Sequence, residues 1–191
     1  MAKKLKKIAN PAPLGLAAFG MTTILLNLHN LGFFDLGAMI LAMGLFYGGI
    51  AQVIAGVLEF KNGNTFGFTA FTSYGFFWIS LIFILIAPGT GLVEAPSAAA
   101  MGSYLLVWGL FTLIMFFATL KLNRVIQFVF GSLVLLFVLL ALADFTGIAL
   151  IKTIAGIVGI ICGLSAIYLD MAELLNKSKV KATLPIWPVK K

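Results

Sequence analysis

Long apolar stretches alternate with short polar connections along the chain, and this pattern occurs six times in its 191 residues. A membrane-crossing helix needs about 20 consecutive, mostly apolar residues, and each stretch meets that length. The predicted spans are 13–31, 37–58, 66–86, 98–120, 125–143 and 148–175. Because each apolar stretch is continuous rather than alternating, a transmembrane β-barrel is excluded. We therefore predict an all-α integral membrane protein, a bundle of six transmembrane helices.

Composition favours a membrane protein over a soluble one. Hydrophobic residues make up 62% of the chain and charged residues 10%, whereas soluble domains are about half apolar and about a quarter charged. The length suits one compact bundle without a second domain. We predict a basic tail at 1–12, a six-helix transmembrane domain at 13–175 and a second basic tail at 176–191.

Basic residues lie almost entirely on one side of this layout. All of the 13 lysines and arginines except Lys152 fall in the two tails or in the second and fourth connections. Cytoplasmic loops carry the excess of lysine and arginine in membrane proteins. We therefore predict that both termini are cytoplasmic and that the chain resides in the inner (plasma) membrane. The net charge of +7 reports orientation, and no nucleic-acid partner is expected.

Residue clusters that support enzyme chemistry are missing from the sequence. We find no metal-ligand cluster, phosphate-binding loop, Ser/His/Asp set or paired carboxylates within a span, and His29 is the single histidine. No catalytic residue, metal or cofactor is therefore predicted, and the chain is not expected to be an enzyme. His29 is expected to cap a helix or border the membrane interface.

Neutral polar side chains follow two of the predicted helices. On the first helix, one face carries Phe19, Thr23, Asn27 and Asn30, and an adjacent face carries Thr22 and His29. On the third helix, one face carries Thr69, Ser73, Phe76 and Ser80, with Tyr74 about a quarter turn away. Polar groups in hydrocarbon are costly unless they are paired or wet. The two faces therefore indicate either a hydrated path or hydrogen bonds between helices, and Asn27 is the strongest path candidate.

Small residues recur at intervals of four on two helices, a pattern that lets membrane helices approach closely. The second span carries Gly44, Gly48, Gln52 and Gly56, and the sixth carries Ala155, Gly159 and Gly163. These faces are typical of packing within one protomer or of contacts between protomers. Gln52 is expected to donate a hydrogen bond to a facing backbone carbonyl. The carboxyl groups near the predicted cytoplasmic ends are expected to pair with Lys61, Arg124 or Lys177; they are Glu59, Asp170 and Glu173.

The first span begins with the string NPAPLGL at 10–16. Two prolines occupy the first helical turn, where a missing amide donor costs little, and Asn10 is placed to cap that turn. A helix that begins at the membrane edge directs free N–H groups and a positive dipole end at an arriving anion. Asn10 is therefore a candidate for substrate binding at the cytoplasmic mouth.

NPAPLGL resembles the signature of the acetate uptake transporters, the YaaH-type succinate–acetate permeases. Further strings that resemble this family follow in order: FGMTT at 19–23, NLHN at 27–30, FYGGIAQ at 46–52, GNTFG at 63–67, TAFTSYG at 69–75, ICG at 161–163 and SAIY at 165–168. The resemblance covers nearly the whole chain, from about Asn10 to Tyr168.

The resemblance implies a homohexamer in membrane lipid, with one pathway per six-helix protomer, that carries acetate and, less well, succinate across the inner membrane. It implies a narrow apolar constriction of Phe19, Tyr74 and Leu133, the last by gapless register alone. It also implies that Ala166 tunes the pathway width. Acetate has a methyl and a carboxylate end, so hydroxyl and amide donors beside the constriction are candidates for binding it: Thr22, Thr23, Asn27, Thr69, Ser73 and the Tyr74 O–H.

Two other functions stay open from the residues alone. The neutral polar faces also suit a neutral small-solute channel of urea or amide type, and the small-residue faces and basic tails suit a non-transporting scaffold. Within acetate transport, passage as in a channel and passage coupled to a proton both remain open.

Overall fold

A computed structural model describes residues 9–178 and 183–189 of the chain. It contains six helices long and apolar enough to cross a membrane, which confirms the predicted all-α, six-helix architecture. They are α1 (Ala12–Asn30), α2 (Ala38–Lys61), α3 (Thr65–Ile86, continued by a 3₁₀ turn over Ala87–Thr90), α4 (Ala98–Thr119), α5 (Arg124–Thr146) and α6 (Ala149–Leu175). Each differs from its predicted span by a few residues at the ends.

Side-chain caps set the starts of three helices. The oxygens of Asn64, Ser97 and Asn123 each accept a hydrogen bond from a backbone N–H in the first turn of α3, α4 and α5, respectively. Such a cap satisfies one of the donors that a helix start leaves free. Gly147 ends α5 with a φ of 68°, a conformation that residues with a Cβ rarely adopt. The polar connections seen in the sequence therefore act as helix boundaries.

The α2 helix is irregular in its middle. A π-helical stretch covers Met43–Ala51 and regular α-helix resumes at Gln52. A π turn widens the helix, and the stretch includes three of the glycines that α2 presents to its neighbours. No feature of the sequence predicted this stretch.

Both described terminal segments lie at one end of the bundle, here called the terminal end. Asn62 Nδ2, in the α2–α3 connection, donates to Ala9 O at 3.3 Å. Val189 N, near the C-terminus, donates to Leu122 O in the α4–α5 connection at 3.0 Å. This grouping agrees with the predicted topology, although the side of the membrane that this end faces stays a prediction. Most of the predicted N-terminal tail, at 1–8, and part of the predicted C-terminal tail, at 179–182 and 190–191, lie outside the described residues.

Glycines bring α1 against α6 within the same protomer. A Cβ on Gly20 would lie 2.8 Å from the carbonyl oxygen of Gly163, and a Cβ on Gly163 would lie 2.8 Å from the carbonyl oxygen of Gly20. The glycine face of α2 also packs within the protomer, because Gly44 and Gly48 lie against the ring of Trp78 on α3. The small-residue faces therefore pack inside one chain, the first of the two interpretations of the sequence pattern.

The α3 and α5 helices meet mainly through large side chains. The ring centroids of Phe66 and Phe130 are 5.4 Å apart, and those of Phe77 and Phe137 are 5.2 Å apart. The ring of Tyr74 lies 6.0 Å from that of Phe130. A layer of rings thus separates these two helices, and the cavities described below lie in that layer.

The α1–α6 contact predicts the effect of a single methyl group. In Gly163→Ala the new Cβ would meet Gly20 O, which is backbone and cannot turn away, and Ile24 Cγ1 at 2.7 Å. We expect a loss of about 1–3 kcal/mol in the free energy of unfolding, as for other overpacked sites. Thermal unfolding of the detergent-solubilised protein measures it.

The matched control is Gly131→Ala on α5, where the nearest atom to a new Cβ is Phe116 Cε2 at an ordinary 3.4 Å. This variant is expected to unfold at the wild-type temperature or slightly above it, because alanine is the better helix former. Equal unfolding temperatures for Gly163→Ala and the wild type would contradict the assigned packing.

Candidate functional site

Three cavities follow one another along the bundle between α1, α3 and α5. Cavity A, near the terminal end, has a volume of about 40 Å³, and cavity B, in the middle, about 30 Å³. A wider vestibule of about 180 Å³ lies at the opposite end. A buried water needs about 10–15 Å³, so cavities A and B each have room for about two or three waters.

Three side chains line both cavity A and cavity B, and they are Phe19, Tyr74 and Leu133. All three are buried, and the rings of Phe19 and Tyr74 are 6.1 Å apart between centroids. They come from α1, α3 and α5, one from each helix around the path. This apolar layer, here called the first septum, is made of the residues that the family resemblance implies for a constriction. Their role in transport stays a prediction.

The hydroxyl of Tyr74 faces away from the cavities. It donates to Thr112 Oγ1 on α4 at 2.9 Å, and Thr112 in turn donates to the backbone oxygen of Trp108 at 2.7 Å. In this structure the phenol O–H is therefore occupied, contrary to the expectation that it donates to a carboxylate. Tyr74 contributes its ring to the first septum.

Two of the predicted polar residues of α1 lie in the wall of cavity B. They are Thr23 and Asn27, both almost completely buried. Asn27 Nδ2 donates to Thr23 O at 2.9 Å, and Asn27 Oδ1 accepts from Asn30 at 3.2 Å. Asn27 lies directly over Gly159 of α6, where a Cβ would overlap its amide. The α1 face is thus both part of the cavity wall and a site of hydrogen bonds to its own helix.

The other predicted binding residues lie outside these cavity walls. Thr22 is fully buried and donates to Met43 O on α2 at 3.4 Å, so it connects two helices. Thr69 and Ser73 lie on a neighbouring face of α3, because Ala70, Tyr74 and Phe77 are the residues turned toward the cavities. Ala166 is fully buried in α6, also outside the three walls.

Asn10 is bonded at the end of the bundle. Its Nδ2 donates to Glu173 Oε2 on α6 at 3.1 Å, and its Oδ1 accepts from Ala12 N at 3.3 Å. The predicted cap is not formed, because Pro11 is the N-cap residue of α1 and the helix start has no side-chain cap hydrogen bond; the second contact is a local turn that precedes the helix. The first joins the NPAPLGL string to α6, so both functional atoms of this side chain have partners within the protein.

A second apolar layer separates cavity B from the vestibule. Leu26, Phe77 and Leu140 line both spaces, again one residue each from α1, α3 and α5. We call this layer the second septum. The polar lining of the vestibule comprises His29, Asn30, Asp144 and Lys152. His29 Nδ1 lies 2.9 Å from Phe34 O, a backbone oxygen of the connection that follows α1.

One of the three carboxyl groups that were predicted to pair with a basic side chain does so. Glu173 forms an ion pair with Lys177. Glu59 instead accepts from Asn64 Nδ2 at 2.9 Å. Asp170 Oδ1 has no hydrogen-bond partner within the described residues. The same part of the chain contains no group of three His, Cys, Asp or Glu side chains that could hold a metal.

Two polar residues lie in the cavity walls without having been assigned there from the sequence. Gln52 lines cavity A, and its expected hydrogen bond to a backbone carbonyl is not found among the described residues. Trp78 lines cavity B, and its Nε1–H has no partner in the same part of the chain. Gln52 lies on the small-residue face of α2, so the sequence pattern indicated a packing role and did not indicate that the residue borders a cavity.

The whole chain, residues 1–191, matches the sequence profile of the GPR1/FUN34/yaaH family. A relative from Escherichia coli (strain K12), named succinate-acetate/proton symporter SatP, is 62% identical over 180 residues, which cover 94% of this chain and 96% of the relative. A solved structure of the bacterial acetate channel SatP is similar with a TM-score of 0.92 and 62% identity, over 94% of this chain and 99% of that one. A relative from Saccharomyces cerevisiae, named ammonia transport outward protein 2, is 38% identical over 179 residues, covering 90% of this chain and 63% of the relative.

The hydrogen bond between Tyr74 and Thr112 predicts an energetic coupling between α3 and α4 behind the first septum. Tyr74→Phe and Thr112→Val each remove it, so a double-mutant cycle isolates its contribution. We expect a coupling of about 0.5–1.5 kcal/mol, the range for a hydrogen bond between membrane helices. Reversible unfolding in mixed micelles gives the four free energies. Strictly additive effects of the two substitutions would mean that the hydroxyl has another partner.

Proposed function

We propose that this chain, which belongs to the GPR1/FUN34/yaaH family, is a permease that carries acetate, and less well succinate, across the inner membrane. The names of its relatives support the substrate, since the E. coli relative and the similar solved structure are both named for acetate. The chain is then a multi-pass transporter, in agreement with its six membrane-spanning helices. This function agrees with the expectation from the sequence motifs.

The observation that carries the proposed path is the alignment of the three cavities. The residues of the first septum line both cavity A and cavity B, and the residues of the second septum line both cavity B and the vestibule. Opening the two septa would therefore join the three spaces. Phe19, Tyr74 and Leu133 then act as the narrow apolar gate that the resemblance implies. Thr23 and Asn27 border the space between the two septa, where they can offer polar contacts to the carboxyl group.

The charged groups lie at the two ends of this proposed path. Lys61, Arg124 and Lys177 are exposed at the terminal end, and Lys152 lines the vestibule. A basic rim enriches small anions near a mouth without binding them tightly. We further propose that the terminal end faces the cytoplasm and that six copies assemble into a homohexamer with one path each, as the resemblance implies. Native mass spectrometry would report the number of copies.

A neutral-solute channel is the second candidate function. It is supported by the apolar cavity walls, which carry no ion pair among the residues that line them, and by the yeast relative named for ammonia transport. The same walls suit ammonia or a small amide as well as they suit an uncharged acid. The two functions are separated by direct flux measurements.

Reconstitution into proteoliposomes tests the function. We expect radiolabelled acetate to enter faster than into empty vesicles, with weaker uptake of succinate. Swelling assays with urea and fluorescence assays for ammonia on the same vesicles measure the alternative. Selective flux of either neutral solute without acetate uptake would favour the second function, and no flux of any of them would refute both.

The gate predicts a change in size selectivity. Phe19→Ala removes the ring that α1 contributes to the first septum, so we expect larger acids to enter faster. The ratio of butyrate to acetate uptake should rise by about tenfold, the discrimination that one or two methylenes give at a tight apolar site. Competition between labelled acids in proteoliposomes measures this ratio.

Phe76→Ala is the matched control for this experiment. Phe76 is on α3, its side chain is 55% exposed on the outer surface of the bundle, and it lines none of the three cavities. Its removal should leave the butyrate-to-acetate ratio unchanged. Equal selectivity of Phe19→Ala and the wild type would remove Phe19 from the gate.

A further inference from the structure

A groove on the outer surface of the bundle combines a positively charged rim with an apolar floor. It runs along α5 with α4 and α6 as its walls, and its volume of about 600 Å³ exceeds that of cavity A, cavity B and the vestibule together. An adjoining recess of about 320 Å³ at the terminal end shares two of its lining residues. The two recesses, here called the α5 groove, are lined chiefly by Phe116 of α4, by Arg124, Phe128 and Leu135 of α5, by Ile161 of α6 and by Trp187.

The guanidinium of Arg124 is held at the rim of this groove by a buried glutamine. Gln127 Nε2 donates to Thr119 O and Leu120 O at the end of α4, at 3.3 and 3.1 Å. Gln127 Oε1 accepts from Arg124 Nη1 at 2.8 Å. This contact uses one of the five N–H donors of a guanidinium, and Arg124 forms no ion pair within the described residues. An oriented positive charge with donors to spare therefore lies at the top of the groove.

From this rim toward the middle of the membrane, the groove is apolar and about one leaflet deep. Its floor continues through Gly131 to Leu135, and the hydroxyl of Ser132 donates to Phe128 O of its own helix at 2.8 Å. From Arg124 to Leu135 the helix rises by about 16 Å, at 1.5 Å per residue. Half of the hydrocarbon core of a bilayer is about 15 Å thick. The groove thus has the polarity and the length of a lipid in one leaflet.

Trp187 lies at the rim in an uncommon backbone conformation. Its φ is 47°, in the left-handed region that bulky residues rarely adopt, and its side chain is 57% exposed. The segment is fixed to the α4–α5 connection, because Arg124 N donates to Trp187 O and Val189 N donates to Leu122 O, each at 3.0 Å. Tryptophan is enriched at membrane interfaces, where its ring lies at the level of the headgroups. Contact with a headgroup accounts for an exposed ring that internal packing does not require.

The charges at the terminal end favour a lipid over a second copy of the chain as the occupant. Three of the six acidic residues lie at this end, and they are Glu59, Asp170 and Glu173. The first two are buried, and Glu173 is paired with Lys177. A neighbouring copy therefore has no free carboxylate side chain for Arg124. A phosphate diester has the charge and the acceptor oxygens that a guanidinium binds as a fork.

We propose that the α5 groove binds one anionic phospholipid, with its phosphate on Arg124, an acyl chain between α4 and α6, and Trp187 beside the headgroup. Lys121 precedes Arg124 in the same connection and adds positive charge at the rim, which favours a headgroup of net negative charge. None of the residues of the α5 groove lines cavity A, cavity B or the vestibule. The site is therefore separate from the proposed path and does not depend on the transported solute.

Lipid binding by the detergent-purified protein tests the proposal. Phosphatidylglycerol and phosphatidylcholine with identical acyl chains are compared by native mass spectrometry and by thermal unfolding. We expect phosphatidylglycerol to bind at least about fivefold more tightly, the factor that one basic side chain gives near a membrane surface, and to raise the unfolding temperature more. Arg124→Gln should abolish this preference. Equal binding of the two lipids by the wild type would overturn the site.

Lys61→Gln is the matched control. It removes one exposed positive charge at the same end of the bundle, but Lys61 lines neither recess of the α5 groove. This variant should keep the wild-type preference for phosphatidylglycerol. An equal loss of preference in Lys61→Gln and Arg124→Gln would show a general attraction to the basic end of the bundle and would overturn the proposal.

A photoreactive lipid locates the acyl chain and separates the other occupants. Phosphatidylglycerol with a diazirine in its acyl chain, incorporated into proteoliposomes, should label the 128–135 region of α5, and Arg124→Gln should reduce this labelling. Labelling confined to other outer surfaces would show that another copy covers the groove. A rise in unfolding temperature with glycerol phosphate equal to that with phosphatidylglycerol would assign Arg124 to a soluble phosphate. Either of these two results would overturn the lipid site.

Discussion

The backbone contact between α1 and α6 is the constraint on which the arrangement of the cavities depends. At Gly20 and Gly163 the two helices leave no space for a side chain, and at Gly159 that space is filled by Asn27. The α1 helix packs against α6 on one side and against the glycine face of α2 on another. In this position α1 directs Phe19 and Thr23 toward α3 and α5. Those two helices meet through rings rather than backbones, and large rings from three directions leave small gaps between them. The cavities are those gaps, so their position follows from glycines that do not line them.

Most polar groups inside the bundle serve the fold rather than the path. Thr22 bonds to α2, Tyr74 to Thr112, and Asn27 to its own helix. What remains facing the cavities is largely apolar, and Gln52 in the wall of cavity A has an amide oxygen without a hydrogen-bond partner among the described residues.

The sequence predicted the six helices because each needs only length and hydrophobicity, which are local properties. It predicted the α1 face because Thr23 and Asn27 repeat at the helical spacing and do turn inward. On α3 the two predicted residues Thr69 and Ser73 share a face that lies about a quarter turn from the cavities, so their predicted role stays a prediction. A hydroxyl in a helix can bond to its own backbone, as Ser132 and Thr112 do here, so a polar face need not be a wet one. The position of Leu133 in the first septum was predicted from the family resemblance alone, since nothing in its apolar surroundings marks it. The position of Gln52 in the wall of cavity A could not be predicted, because it depends on which side of α2 borders a cavity.

If the three cavities form the transport path, the separation of charge from that path would explain selectivity without a dedicated filter. Basic side chains at the mouths raise the local concentration of any small anion, whether acetate, chloride or phosphate. The two septa then present apolar walls that an anion can pass only by shedding its hydration, at a cost of many kcal/mol. A weak acid avoids this cost by taking up a proton at the mouth, whereas chloride, the anion of a strong acid, stays charged. Among weak acids the width of the first septum would then decide, because on the proposed path each added methylene would have to fit between Phe19, Tyr74 and Leu133. Selection by charge and selection by size would thus occur in sequence, the first at the entrance to cavity A and the second at its far wall.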